Sequence, residues 1–361
     1  MLALLPLLAS AIAASPLVPF PAQPAEVPFP TVEWPEALAA PDSPVLQAVE
    51  QAFAEPDPKK LLRTHAVVVV HRGRIVAERY APGITAQTRL PGWSVAKTVT
   101  ATLAGILAGE GRLSLSGPTR VPFWAAPDPR AAITLEHLLR MTSGQAWRED
   151  YYDPMRSEVL TMLLGDGRHD MAAYAEGRPL AAPPGLKFVY SCGSTVIVSK
   201  ELRRALPDDA AYRDFPRKAL FEPLGMKSAL LESDGAGTFV GSSYFVATAR
   251  DFARVGLLLL RGGAWDGRPL LTSSFVDVMR TPTPASKNGE YGAGVWLRPN
   301  PDPEETMRGV PLDTFYASGK DGQYIVVVPS KDLVIVRLGT TPLDGRFALG
   351  KFVASVVAAL P

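Results

Sequence analysis

Hydrophobic residues follow a strand-like pattern toward both ends of the chain. Residues 66–80, AVVVVHRGRIVAERY, predict two strands joined by a tight turn at Arg72-Gly73. Four further strand-like stretches lie toward the C-terminus, at 291–297, 314–319, 323–329 and 333–339. The last two of these predict a second hairpin. Strands from the two ends would pair in one largely antiparallel sheet.

Apolar residues with helical spacing separate and flank these strands. They predict helices at 45–53, 93–113, 252–263 and 346–360. From 114 to about 225, short helical stretches alternate with loops rich in proline and glycine. We therefore predict an α+β fold, with a mainly antiparallel sheet flanked by helices and an all-helical domain beside it.

The N-terminus has a different composition from the rest. Residues 1–14 are apolar and end in small residues with an A-x-A cleavage pattern, which predicts a secretory signal and a periplasmic or secreted protein. This run is too short and too interrupted by proline for a stable membrane span. Residues 15–44 carry nine prolines and are interpreted as a linker or surface strap outside the fold. The remainder would form an α/β domain, 45–115 with 226–361, and a helical domain, 116–225.

Composition narrows the functional classes. Lys and Arg number 37 and Asp and Glu 36 among 361 residues, so the net charge of +1 gives no field to attract nucleic acid. The hydrophobic fraction of 47% fits a soluble globular protein. One cysteine cannot form an intrachain disulfide, and the four histidines form no cluster with zinc-ligand spacing. We therefore predict neither a metal site nor a cofactor.

Ser94 and Lys97 form the first candidate for chemistry. They lie at positions i and i+3 near the start of a predicted helix, so their side chains share one face. A serine hydroxyl becomes a good nucleophile when a neighbouring base takes its proton. A lysine can be that base only where burial or a nearby cation lowers its pKa. Taken alone, however, S-x-x-K is common in proteins.

A Ser-His-Asp hydrolase is the alternative among enzymes. Residues 92–96, GWSVA, come close to a nucleophile elbow, in which the serine follows a strand. The preceding residues, RLPG, are a poor strand, and the chain has no histidine after His169. We therefore disfavour this alternative. The acidic run at 149–153 is interpreted as a loop.

Five segments in order resemble the serine β-lactamase and penicillin-binding-protein superfamily. The likeness extends from about residue 60 to the end of the chain and is nearest to the class C-like esterases and 6-aminohexanoate-dimer hydrolases. That resemblance implies an α/β domain and an all-helical domain with the active site between them. The segments are RLPGWSVAKTVTATLAGILAGEGRL (89–113), ITLEHLLRMTSGQAWREDY (133–151), PPGLKFVYSCGS (183–194), ATARDFARVGLLLLRGGAWDGRPLL (247–271) and YASGKDGQYIVVVPSKDLVIVRLG (316–339).

The resemblance implies roles for the catalytic residues. Ser94 would be the nucleophile, and Tyr190, which opens the triplet Tyr190-Ser191-Cys192, would share protons with Ser94 and Lys97. A phenol beside an ammonium group can ionise well below its usual pKa near 10. Cys192 stands where many relatives carry asparagine, at a position that contacts the substrate or the lysine.

The resemblance also places a substrate-binding strand. The K-T-G motif of the superfamily falls on Ala317-Ser318-Gly319, so its lysine is missing here. In β-lactamases and penicillin-binding proteins that lysine helps to bind the carboxylate next to the β-lactam ring. Ser318, Gly319 and Lys320 would contact the substrate. The backbone N–H groups of Ser94 and Lys320 would form the oxyanion hole.

These features together predict a serine hydrolase that cleaves a small ester or amide through an acyl-enzyme on Ser94. We expect an esterase or amidase rather than an efficient β-lactamase. The alternative is a catalytically weak sensor or binding protein of the same fold, which the replacements at Ala317 and Cys192 would allow. The natural substrate and the oligomeric state stay open.

Overall fold

The computed structural model describes residues 17–54, 63–341 and 347–361. The predicted signal at 1–14 lies outside the described residues, so export stays a prediction. None of the helices in the described ranges combines the length and hydrophobicity needed to cross a bilayer.

A six-stranded sheet forms the centre of the fold, and its strand order is β2-β1-β11-β10-β9-β8. Every neighbouring pair in it is antiparallel, and β1 joins β2 to β11 from the other end of the chain. The predicted antiparallel sheet is therefore confirmed. The strands are β1 (Thr64–His71), β2 (Arg74–Tyr80), β3 (Leu90–Pro91), β4 (Leu230–Leu231), β5 (Phe245–Ala247), β6 (Ala264–Trp265), β7 (Arg268–Pro269), β8 (Trp296–Leu297), β9 (Phe315–Gly319), β10 (Gln323–Val328) and β11 (Leu333–Gly339).

Helices cover both faces of this sheet, which explains the unbroken valine run of β1. Val68 and Val70 contribute to the larger core with α2 and α9, whereas Val67 and Val69 contribute to a second core with α1 and α11. A strand buried on both faces reads as a continuous apolar run. The helices are α1 (Pro44–Gln51), α2 (Val95–Gly109), α3 (Leu135–Leu139), α4 (Glu158–Leu163), α5 (Met171–Glu176), α6 (Cys192–Ala205), α7 (Asp209–Pro216), α8 (Glu222–Leu224), α9 (Ala249–Leu260), α10 (Ser273–Met279) and α11 (Leu349–Ala359).

The elements between residues 110 and 225 are all helical. Residues 291–297 differ from their predicted strand, because only Trp296–Leu297 pairs with β9. Gly294 adopts a φ of +78°, and the Gly292 N–H donates to the Val295 carbonyl at 2.9 Å, so the chain turns here. A turn of this kind cannot continue an extended strand.

The proline-rich segment is a strap that packs onto the fold, rather than a linker outside it. The Trp34 ring is buried, and its Nε1 donates to the Arg250 carbonyl at 3.2 Å. Arg254 Nε donates to the Pro30 carbonyl at 2.8 Å, and the Ile75 N–H donates to the Pro35 carbonyl at 2.9 Å. Proline has no N–H but keeps its carbonyl, so this segment docks mainly by accepting hydrogen bonds.

Candidate active site

Ser94 lies at the N-terminal end of α2, in a tight turn that follows β3. The two residues of β3 pair with β5, so only a very short strand precedes Ser94, in keeping with the expected poor strand structure. Trp93 has a φ of +47°, in the left-handed region that a bulky residue rarely adopts. Backbone strain of this kind is often found at functional sites. The turn presents the half-buried Ser94 hydroxyl at the helix start.

Lys97 is buried one turn further along α2, with 2% of its surface exposed. Its Nζ donates to Ser94 Oγ at 3.0 Å, to Cys192 Sγ at 3.2 Å and to the Ser242 carbonyl at 3.0 Å. A lysine ammonium has three N–H donors and no acceptor. The three partners therefore match the protonated form of Lys97.

Tyr190 lies immediately before α6, against Ser94 and Lys97. The Ser94 hydroxyl lies near enough to stabilise the Tyr190 phenolate by hydrogen bonding, which lowers the pKa of Tyr190, and the Tyr190 ring centroid is 4.8 Å from Lys97 Nζ. Trp296 stacks on the ring at 5.3 Å, and Tyr291 packs edge-on at 6.0 Å. The structure thus brings together the three residues that sequence analysis selected, and their catalytic roles stay a prediction.

Burial and charge set the protonation states here. Burial raises the pKa of Tyr190 above its usual value, and the Lys97 charge and the Ser94 hydrogen bond offset only part of that shift. The expectation that Tyr190 ionises unusually easily is therefore wrong in the resting site. Burial alone would lower the pKa of Lys97, but its interactions with the acidic groups of Cys192, Tyr190 and Glu149 outweigh burial, and the pKa of Lys97 is raised.

Cys192 has no exposed surface, so of its two predicted contacts the side chain makes the one with Lys97 and does not reach the substrate cleft. Its Sγ accepts from Lys97 and donates to Glu149 Oε1 at 2.7 Å. Burial raises the pKa of Cys192, which keeps the group a thiol near neutral pH. Because the thiol carries one proton and one acceptor face, it connects the lysine to the carboxylate.

Glu149 is the residue of this site that sequence reasoning missed. Glu149 lies on the loop after α3, and its carboxylate accepts a hydrogen bond from Cys192, which in turn contacts Lys97. The acidic run at 149–153 is the only signal in the sequence, and it does not reveal which carboxylate turns inward. The neighbouring Asp150 bonds instead to Arg148 and to loop amides.

The C-terminal end of β9 approaches the turn that carries Ser94. A Cβ atom added to Gly319 would lie 2.2 Å from the Gly92 carbonyl oxygen, so the two backbones are in close contact. Lys320 Nζ lies 5.9 Å from the Trp93 ring centroid. The N–H groups of Ser94 and Lys320 donate to no acceptor among the described residues. Two free amides at this position fit an oxyanion site.

Other predicted substrate contacts lie on β9 and just beyond it. Ser318 is half-buried, while Ala317 faces the core with 3% of its surface exposed. The Lys320 ammonium forms an ion pair with Asp321 Oδ1 at 2.8 Å. Its charge therefore has a partner in the protein.

The histidines are engaged elsewhere. His65 Nε2 shares a hydrogen bond with Thr340 at 2.9 Å, and the Thr134 N–H donates to His137 Nδ1. None of the four histidines, all of which are described, hydrogen-bonds to Ser94. The site therefore lacks the base that a Ser-His-Asp hydrolase needs.

The chain matches known proteins over most of its length. The model of the beta-lactamase family matches residues 48–358. A 6-aminohexanoate-dimer hydrolase of Paenarthrobacter ureafaciens is 26% identical over 335 residues, which cover 84% of this chain and 80% of that protein.

Solved structures share the fold. A penicillin-binding-protein homologue from Caulobacter crescentus superposes with a TM-score of 0.67 and 19% identity, covering 90% of this chain and 99% of that one. A family VIII carboxylesterase superposes with a TM-score of 0.66 and 15% identity, with the same coverage of both chains.

Proposed function

The chain belongs to the beta-lactamase family of hydrolases, and from that premise we propose that it cleaves esters or amides through an acyl-enzyme on Ser94. One observation carries the proposal. Lys97 Nζ donates to Ser94 Oγ at 3.0 Å, and the same serine lies near enough to Tyr190 to lower the pKa of that phenol by hydrogen bonding to its phenolate. The nucleophile thus has an ammonium group on one side and a proton acceptor on the other.

The proposed reaction starts when Tyr190 has lost its proton and Lys97 keeps its own. Ser94 Oγ attacks the carbonyl carbon, and the serine proton passes to Tyr190 Oη. The N–H groups of Ser94 and Lys320 bind the oxyanion that forms. Tyr190 then gives the proton to the leaving alcohol or amine. A water molecule then gives a proton to the same phenolate and attacks the acyl carbon, and Tyr190 returns that proton to Ser94 Oγ as the Ser94–acyl bond breaks.

The described site favours uncharged substrates over β-lactams. The strand position that carries the K-T-G lysine in related enzymes is Ala317, and the nearby Lys320 is already paired with Asp321. A substrate carboxylate would therefore find no free cation among these residues. The half-buried faces of Tyr190 and Trp296 instead offer an apolar wall beside the nucleophile.

A catalytically weak binding protein is the second candidate, and the absence of a lysine at position 317 favours it. It shares the fold but predicts no covalent turnover. Purified protein should be tested with p-nitrophenyl esters, D-amino-acid amides, linear amide oligomers and nitrocefin. Turnover of an ester or amide supports the hydrolase, and binding without turnover on the whole panel supports the second candidate.

The nucleophile can be tested directly. Ser94→Ala should abolish fluorophosphonate labelling and lower kcat by on the order of 10⁴-fold or more, because the covalent path is lost. Ser274→Ala, on the exposed face of α10, is the matched control and should behave like the wild type. Labelling that persists in Ser94→Ala, or that maps to another serine, would overturn the assignment.

A further inference from the structure

The Glu149 carboxylate collects an unusual number of donors for a residue outside the serine-lysine-tyrosine set. Four groups donate to its two oxygens, and two of them, an indole and a backbone N–H, can only donate. They are Trp147 Nε1 at 2.6 Å, the Tyr151 hydroxyl at 2.9 Å, the Cys192 N–H at 3.0 Å and Cys192 Sγ at 2.7 Å.

The surroundings hold this carboxylate in one place. The Trp147 ring packs against Gly193, where an added Cβ would lie 2.5 Å from Trp147 Cζ3. This close packing fixes the indole that donates to Glu149. The Cys192 N–H belongs to the first turn of α6, a helix of 14 residues whose N-terminal dipole favours a negative charge.

The direction of the thiol proton follows from this arrangement. A carboxylate can only accept, so the single proton of Cys192 points to Glu149 and the sulfur lone pairs face Lys97. The Ser242 carbonyl can likewise only accept. Lys97 therefore supplies N–H groups to Cys192 Sγ and to the Ser242 carbonyl, while its third partner, the Ser94 hydroxyl, can either accept from an ammonium group or donate to a neutral amine. The negative charge of Glu149 beyond the thiol favours the ammonium form, in which Lys97 donates to Ser94.

We propose that Glu149 is a positioning residue for proton transfer at Ser94, because it acts through the Cys192 thiol to hold Lys97 as an ammonium group. This inference rests on the proposed function and deepens it. With Lys97 held in that form, the Ser94 proton can pass only to Tyr190. Lys97 then serves to orient Ser94 and to stabilise the Tyr190 phenolate, not to act as the base.

The other titratable groups around the site differ in kind from Glu149, because they are not carboxylates. Glu149 is the carboxylate with a leading effect on the pKa values of Lys97, Tyr190 and Cys192 together. The other titratable groups close to Lys97 and Ser94 are a thiol and phenols. They are Cys192 on α6, Tyr151 on the loop, Tyr190 before α6, Tyr291 beside β8 and Tyr244 before β5.

The pH dependence of kcat/KM separates this role from simple packing. Glu149→Gln keeps the size of the side chain and removes its charge. Every nearby proton then becomes easier to lose, so both limbs of the profile on a p-nitrophenyl ester should move to lower pH by on the order of one unit. Asp150→Asn removes the same charge from the next residue, whose carboxylate bonds to Arg148, and should leave both limbs in place. A Glu149→Gln profile that superimposes on the wild type, or an equal shift in Asp150→Asn, overturns the inference.

Cys192 gives a second test that does not require Glu149→Gln to fold. Cys192→Ser keeps one proton to donate and one oxygen to accept, so kcat should stay within about threefold of the wild type. Cys192→Ala removes the connection, and kcat should fall by about tenfold or more while KM changes little. Equal kcat values for the two variants overturn the inference. Each assay is accompanied by fluorophosphonate labelling of Ser94. If the wild type is not labelled, the proposed function itself is refuted. If labelling is intact but the kcat values or pH profiles differ from those expected, only the proposed role of Glu149 is refuted.

Discussion

Tyr190→Phe is the sharpest test of how protons move at this site. The substitution keeps the ring, so the stacking on Trp296 at 5.3 Å and the contact with Lys97 at 4.8 Å both survive. Only the hydroxyl is lost, and with it the interaction with Ser94 that lowers the pKa of Tyr190. A general acid–base group typically contributes about 10²–10⁴ in rate, equivalent to roughly 3–5.5 kcal/mol of transition-state stabilisation. We expect kcat to fall within that range and KM to change little.

The assay compares kcat on a p-nitrophenyl ester with the midpoint of thermal unfolding. Tyr291→Phe is the matched control, because it removes a hydroxyl from the ring that packs edge-on against Tyr190 at 6.0 Å. It should retain most of the activity. Folding of Tyr190→Phe should also be nearly intact, since a buried polar group is replaced by an apolar one of the same shape. A fall in kcat of less than about tenfold in a folded Tyr190→Phe protein would make Tyr190 structural and refute the proposed proton path.

Three further outcomes can be checked. Burial raises the pKa of Tyr190, and a base must lose its proton to act. The value of kcat/KM should therefore still be rising as the pH passes from neutral into the alkaline range. A rise centred near pH 6.5, where an ordinary histidine titrates, would contradict this expectation. Position 317 is alanine and Lys320 is paired with Asp321, so the carboxylate of nitrocefin lacks a cationic partner. Its kcat/KM should be about 10- to 150-fold lower than that of the best neutral ester. Equal kcat/KM values would count against the proposed cleft. Trp34→Ala should lower the free energy of unfolding, measured by urea titration, by about 3–5 kcal/mol. The control Val32→Ala changes a side chain that is 76% exposed and should alter that free energy by less than about 0.5 kcal/mol. Equal losses in the two variants would mean that the strap does not stabilise the fold through Trp34.

The sequence by itself determined the local elements. The four-valine run, the Arg72-Gly73 turn and the two C-terminal β-branched runs are short-range patterns, and the hairpins β1–β2 and β10–β11 form where these patterns predict them. Ser94 and Lys97 belong to the same class, because helix geometry alone brings residues three positions apart within reach. Patterns of this kind depend on neighbours along the chain, so one sequence suffices to see them.

The tertiary structure decided the chemistry of the site. Lys97 contacts Cys192, which is 95 residues further along the chain, and the Ser242 carbonyl, which is 145 residues further along. Residue spacing in the sequence predicts neither contact. The same long-range packing turned Glu149 inward and left Asp150 on the surface of the loop. It also reversed the expected pKa shift of Tyr190, because burial of the phenol outweighs the neighbouring ammonium group. A sequence lists the ionisable groups, but solvation and the charges of distant residues set their proton affinities, and both exist only once the chain has folded.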